Sequence, residues 1–170
     1  MGLFDFFTST KRPAAGTATC APEEVRERLL ALNRPTAPYQ IVDGTAEGVD
    51  LIAEWKIVDA RWYEIFAKAS LKKTFKIYLK LDPEAREVRA KDREYEVAWR
   101  AGVPTLSLSA KRFSGQKQSI QFGARYGFTE ELEFGQIYKY TFQTKELKGP
   151  LQEAATGCGW TYKGVTFGKL

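Results

Sequence analysis

A strict alternation of apolar and polar residues between positions 75 and 82 constrains the fold of this chain most strongly. A period of two is typical of a β-strand with one buried face. The apolar side of the alternation consists of Phe75, Ile77, Leu79 and Leu81. Asp82-Pro83 favours a turn directly afterwards. We therefore predict a second strand over 87–91, a turn near 91–93 and a third strand over 94–100, joined as an antiparallel meander.

The opposite face of this meander is rich in Lys, Arg and Glu. We interpret it as a solvated face on which charges of opposite sign pair across the strands. Each such pair stabilises a sheet by at most about 1 kcal/mol.

The remaining elements place a helix near each end of the chain. Pro22–Leu32 has a proline and glutamates in its first turn and an apolar stripe, which favours a helix. Strands are predicted over 39–43 and 49–57, and Gly149-Pro150 is predicted to open a second helix that runs to Thr156. The sum is an α+β fold with a mostly antiparallel, strongly curved sheet or an incomplete β-barrel.

Composition indicates one domain and an N-terminal extension. The 170 residues are 44% apolar and 14% aromatic, which is enough for a sizeable core. We assign residues 20–170 to a single domain. Residues 1–19 form an apolar tip, 2–7, followed by a small, polar, Pro- and Gly-containing segment, 8–19, that we predict to be a flexible linker.

The apolar tip is the feature of the sequence that most suggests a function. Its large side chains and the cations that follow are Leu3, Phe4, Phe6, Phe7, Lys11 and Arg12. Apolar anchoring next to positive charge suits docking to a protein partner or to an anionic membrane surface. Our first hypothesis is therefore a non-enzymatic binding or adaptor domain, cytoplasmic and peripheral at a membrane, that could also self-associate. The alternative is that the tip folds back onto the domain.

Several classes of chemistry lack the residues that they need. The chain has no histidine, the commonest general base and metal ligand. Cys20 and Cys158 lie far apart in the sequence, so we expect no disulfide framework and a reducing compartment. The acidic cluster 130–133 has no second carboxylate group at metal-binding spacing. We predict no catalytic residues, no metal site and no cofactor, and we lean against an enzyme.

Two other functions stay open. A small-ligand protein or enzyme could use a pocket at the open end of the curved sheet, lined by Trp62, Tyr63, Tyr138 and Tyr140. A nucleic-acid binder could stack bases on Tyr138 and Tyr140 around Lys139. The net charge of +5 does not demand such a partner, so we expect nucleic acid least.

The stretches 49–64 and 159–170, which contain Ala-Glu-Trp-Lys-Ile-Val-Asp and the closing Gly-Trp-Thr-Tyr-Lys-Gly, resemble small uncharacterised bacterial proteins. The strand-rich region 72–100 is also similar to tubby-like and LURP-one-related domains. That resemblance implies a barrel around an apolar helix and, in some members, phosphoinositide binding or action near membranes. It implies no binding residue here, and the predicted C-terminal helix departs from it because Gln152 and Glu153 are polar.

Overall fold

The computed structural model of the chain describes residues 9–35, 37–59, 62, 66, 72–108, 114–115, 128–131, 137–140, 144–165 and 170. Two α-helices in this part of the chain are α1 (Pro22–Leu30) and α2 (Thr144–Gly157). The strands are β1 (Tyr39–Asp43), β2 (Leu51–Trp55), β3 (Lys73–Asp82), β4 (Glu87–Arg100), β5 (Val103–Leu108), β6 (Ser114–Gly115), β7 (Phe128–Glu131), β8 (Ile137–Tyr140) and β9 (Thr161–Gly164).

Strand β4 lies at the centre of the main sheet. Neighbouring strands run in the order β1-β2-β3-β4-β5, all antiparallel. One edge of β4 pairs with β3 along the whole length of that strand. The other edge pairs in succession with β9, which is parallel, then β6, then β5. The sheet is curved and open, with a helix near each end of the chain, which confirms the predicted α+β class.

The prediction of a turn near 91–93 is wrong, because β4 is one continuous strand. Its pairing with β3 keeps a constant register from Glu87 to Glu96. The inward positions that begin with Val88 and Ala90 continue with Asp92 and Glu94, which are also buried. Buried charges at core positions interrupt the hydrophobic pattern, and a pattern of apolar residues alone therefore suggests a break where none exists.

Helices α1 and α2 pack on each other. Helix α1 also packs against β1, and α2 packs against β9. Helix α1 confirms the predicted N-terminal helix and buries Val25 and Leu29. Helix α2 begins at Thr144 and not at Gly149, so that Pro150 lies inside it. The extra turn is favoured because it buries Leu147 together with Leu151 and Ala155 in the core.

The outer edge of β1 is covered by a side chain that substitutes for a strand. Asn33, just after α1, accepts a hydrogen bond from the Ile41 backbone N–H at 2.6 Å and donates one to the Ile41 carbonyl at 2.7 Å. The amide thus satisfies both backbone groups of one residue, as a neighbouring strand would. An edge whose groups are satisfied in this way is protected from pairing with another chain.

Candidate functional site

The segment between the apolar tip and α1 packs against the domain. We call Ser9–Cys20 the N-terminal arm. Its Lys11 exchanges backbone hydrogen bonds of 2.9 and 2.8 Å with Tyr162 of β9, and the Thr10 hydroxyl accepts one from the Gly164 N–H at 3.1 Å. At these positions the predicted linker is packed on the domain, because the arm adds backbone pairing at the edge of β9. The tip, residues 2–7, lies outside the described residues.

A buried ion pair anchors the start of the arm. Lys148 of α2 contacts the Asp92 carboxylate of β4 at 2.7 Å, with side-chain exposures of 4% and 0%. The same ammonium donates to the Ser9 hydroxyl at 3.2 Å, and the Gln152 amide donates to the Ser9 carbonyl at 2.9 Å. One charged group thus connects α2, the central strand and the arm.

Electrostatics in this cluster follow from burial. Desolvation lowers the pKa of the Lys148 ammonium below its ordinary value, although the Asp92 carboxylate opposes the shift. Burial, and secondly the charge of Asp92, raise the pKa of the Tyr162 phenol. Its hydroxyl has no hydrogen-bond partner among the described residues. With almost no access to solvent, the cluster fits a structural anchor better than a catalytic site.

The polar face of the sheet departs from the predicted pattern of opposite charges. On this face every directly opposed charged pair of β3 and β4 has the same sign. These pairs are Lys76 with Arg93, Lys80 with Arg89, and Asp82 with Glu87. Like charges placed directly opposite each other destabilise a sheet. The predicted cross-strand pairing is therefore wrong for the centre of this face.

The end of this face nearest β2 has its charges compensated. Lys76 forms an ion pair with Glu54 of β2 at 3.1 Å and lies 5.0 Å from the centre of the Tyr95 ring. Arg93 lies 4.5 Å from the centre of the Tyr78 ring. The two phenols hydrogen-bond to each other at 2.5 Å, and desolvation raises the pKa of Tyr78. Cation–π contacts and one ion pair thus stabilise these cations.

The neighbouring row is not compensated in this way. Arg89 lies opposite Lys80 of β3 on one side and Lys163 of β9 on the other. We call Lys80, Arg89 and Lys163 the basic row. Lys80 is exposed, and the other two are half-buried. Within the part of the chain that the structure describes, no ion pair joins the row to a carboxylate, and the buried Arg89 Nε has no hydrogen-bond partner.

The basic row lies close to the N-terminal arm. The arm bridges Tyr162, the residue directly before Lys163, and its Lys11 and Arg12 side chains are exposed. The cations predicted from sequence as part of a docking site are therefore one strand away from cations that sequence reasoning missed. The register of the β3–β4 hairpin around Asp82 could have revealed the Lys80–Arg89 pair, whereas the pairing of β9 with β4 could not be foreseen.

The predicted aromatic pocket receives no support from the residues that the structure describes. Trp62 is buried in the core and contacts Phe66, while the side chains of Tyr63, Tyr138 and Tyr140 lie outside the described set. A groove of about 690 Å³ instead lies between the end of α1, β1 and α2. It is lined by Leu32, Arg34, Tyr39, Lys145, Pro150 and Glu153, among others.

Comparisons with protein-family models, with curated proteins and with solved structures found no match. The resemblances to small bacterial proteins and to tubby-like and LURP-one-related domains therefore stay predictions, as do the cytoplasmic location and self-association. Among the described residues, no His, Cys, Asp or Glu group could hold a metal ion. Neither described helix has the length and apolar content needed to cross a bilayer.

Proposed function

We propose that this protein is a non-enzymatic binding domain that docks peripherally on anionic membrane surfaces. The basic row is the observation that carries the proposal. Its three cations are held at directly opposed positions of adjacent strands, where they repel one another. Phosphate-bearing lipid headgroups would relieve that repulsion and would supply acceptors that the described residues do not offer to the Arg89 Nε.

The N-terminal arm supports the same partner. Hydrogen bonds hold Ser9 to Lys11 against α2 and β9, which places the residues that follow the apolar tip one strand away from Lys163 of the basic row. In this stretch Lys11 and Arg12 are exposed and add two cations to those of the basic row. A juxtaposed cation adds about 1 kcal/mol of attraction to an anionic leaflet, and inserted apolar side chains add hydrophobic anchoring. An anionic membrane uses both features at once, whereas an apolar protein groove would use the tip alone.

Co-sedimentation with vesicles tests the proposal. The full chain and a variant lacking residues 2–7 are mixed with phosphatidylserine-containing vesicles and with pure phosphatidylcholine vesicles. We expect the full chain to pellet with the anionic vesicles, the truncated chain to pellet several-fold less, and neither to pellet with neutral vesicles. Equal binding to both lipids, or none to either, would refute membrane docking. Binding to single-stranded nucleic acid in place of vesicles would assign the basic row to that partner instead.

The groove beside α1 supports a second candidate, binding of a small ligand. Its volume of about 690 Å³ lies in the range of small-molecule sites. Arg34, 6.0 Å from the centre of the Tyr39 ring, and Glu153 give it polar groups beside an apolar wall. A metabolite library screened by thermal shift would identify such a ligand through saturable stabilisation. A Glu153→Ala variant, which alters the groove and leaves the basic row intact, separates the two candidates.

A further inference from the structure

The fold brings together the two cysteines of the chain, which sequence reasoning kept apart. The Cys20 backbone N–H donates to the Cys158 carbonyl at 2.9 Å, and the Cys20 thiol is near enough to raise the pKa of the Cys158 thiol. Both are free thiols in the structure. Residues joined by a backbone hydrogen bond have Cα atoms at roughly the separation of about 4.4–6.8 Å that a disulfide spans.

The backbone around the pair keeps this close approach in place. Gly159 has φ +70°, and a Cβ atom there would lie 2.8 Å from the Ala18 carbonyl oxygen. The Trp160 indole N–H donates to the Cys20 carbonyl at 3.0 Å. A side-chain-free residue and a buried indole thus hold the end of the arm against the end of α2.

The two thiols differ in their access to an oxidant. Cys20 is partly exposed, whereas Cys158 is buried. Burial and the neighbouring Cys20 thiol raise the pKa of Cys158 to about 12, although the Arg28 guanidinium of α1 opposes the shift. An oxidant therefore reaches Cys20 first, and Cys158 is placed to react with the oxidised product.

We propose that Cys20 and Cys158 are a redox site that forms an intramolecular disulfide when a peroxide oxidises the protein. The Cys20 thiolate takes one oxygen from hydrogen peroxide, which leaves a sulfenic acid and hydroxide. The Cys158 sulfur then displaces the sulfenic oxygen, the S–S bond forms, and the protons and oxygen leave as water. Two electrons pass from the pair of thiols to the peroxide, and a dithiol or glutathione returns them.

The bond would tie the N-terminal arm covalently to the end of α2. It would close a loop of most of the chain between the two cysteines, which restricts the unfolded state and raises the melting temperature. The proposal does not depend on membrane docking, since it concerns only the packed end of the arm at Cys20. A failure of either proposal leaves the other intact.

Thiol counting on the full chain tests the proposal. The reduced protein is treated with a small excess of hydrogen peroxide, denatured, alkylated with iodoacetamide and weighed by mass spectrometry. We expect a monomer that has lost the mass of two hydrogen atoms, takes up no label, and gives a peptide linking 20 to 158. Dithiothreitol should restore both labels, and the oxidised form should melt at a higher temperature than the reduced one.

Single-cysteine variants provide the controls. In Cys158→Ala, peroxide should leave Cys20 over-oxidised or in an intermolecular dimer, with no gain in melting temperature. Should that buried substitution prevent folding, Cys20→Ser serves instead, and its Cys158 should still be labelled after the same treatment. The proposal is overturned if the wild-type chain keeps Cys158 available for alkylation while Cys20 becomes sulfinic acid, or if the only disulfides join separate chains.

Discussion

Removal of one partner of the Lys148–Asp92 pair should cost far more than its single contact suggests. The ammonium and carboxylate lie 2.7 Å apart with almost no exposure to solvent. Lys148→Met leaves a buried carboxylate without its cation, which costs about 3–5 kcal/mol in comparable sites. A domain of this size is stable by about 5–15 kcal/mol, so much of the total is at stake. At about 2–4 °C per kcal/mol, the melting temperature should fall by roughly 6–20 °C.

A surface pair of the same geometry is a matched control. Arg28 and Glu24 of α1 are 2.8 Å apart, but each side chain is about half exposed. Arg28→Met should therefore cost well under 1 kcal/mol. Urea unfolding of both variants and of Asp92→Asn/Lys148→Met measures the difference. The double variant should be much more stable than the sum of its single changes predicts.

Two results would show that burial does not set the cost of breaking this ion pair. One is a Lys148→Met variant that loses no more stability than Arg28→Met. The other is an additive double variant, which would show that the two charges do not depend on each other. A further consequence concerns the arm, because Lys148 also donates to Ser9. Limited proteolysis of Lys148→Met should cleave the chain near Ser9 faster than in the wild type.

Three other predictions follow from individual contacts. The stability of Asp92→Asn should rise with pH up to 10.5. The folded-state pKa of Lys148 is lowered, so between that pKa and 10.5 the unfolded state binds more protons than the folded state. Urea midpoints at pH 7 and pH 9.5 measure the increase. Gly159→Ala should destabilise by more than about 1 kcal/mol in thermal melts, because its φ is positive and its Cβ would meet the Ala18 carbonyl. Gly149→Ala, at a glycine with open space around it, is the control. If Gly159→Ala proved as harmless as this control, Gly159 would hold no such strain. Asn33→Ala should cost about 1–3 kcal/mol by urea unfolding, because both Ile41 backbone groups lose their partner. Asn33→Asp still accepts a hydrogen bond but cannot donate one, so it should recover only part of the lost stability.

Much of the fold could be predicted because its strands follow simple local rules. Strand β1 has the predicted bounds, Tyr39–Asp43, and the inward face of β3 carries the predicted Phe75, Ile77 and Leu79. Helix α1 begins at the predicted proline. In these segments the apolar period, the turn residues and the burial agree, so that local sequence is sufficient.

The rest depends on contacts between residues that are far apart in the chain. Asp92 occupies a core position only because Lys148 arrives from α2, and no local pattern predicts that partner. The arm is ordered because Tyr162 of β9 offers it a backbone edge. Its composition, small and polar, is that of a linker. The meeting of Cys20 with Cys158 has the same origin.

The candidate docking surface likewise combines residues that local sequence could predict with residues that it could not. Lys11 and Arg12 could be chosen from sequence because they follow the apolar tip. Arg89 and Lys163 could not, because they become neighbours only when β9 pairs in parallel with β4. The prediction of opposite charges across β3 and β4 was wrong because it was made from the mixed charge of the face and not from a register, and the assumed break near 91–93 also hid the Lys76–Arg93 pair.

The most direct test of the proposed function removes charge from the basic row and compares it with equal removal elsewhere. Lys80→Ser/Lys163→Ser is compared with Lys72→Ser/Arg100→Ser, which removes two exposed cations outside the row and leaves the same net charge. Partition coefficients on phosphatidylserine-containing vesicles are measured for both, with thermal melts to confirm folding. We expect the row variant to lose about 10-fold or more in partition coefficient, at about 1 kcal/mol for each cation, and the control to lose clearly less. Equal losses would show that only net charge matters and would contradict a docking role for the row.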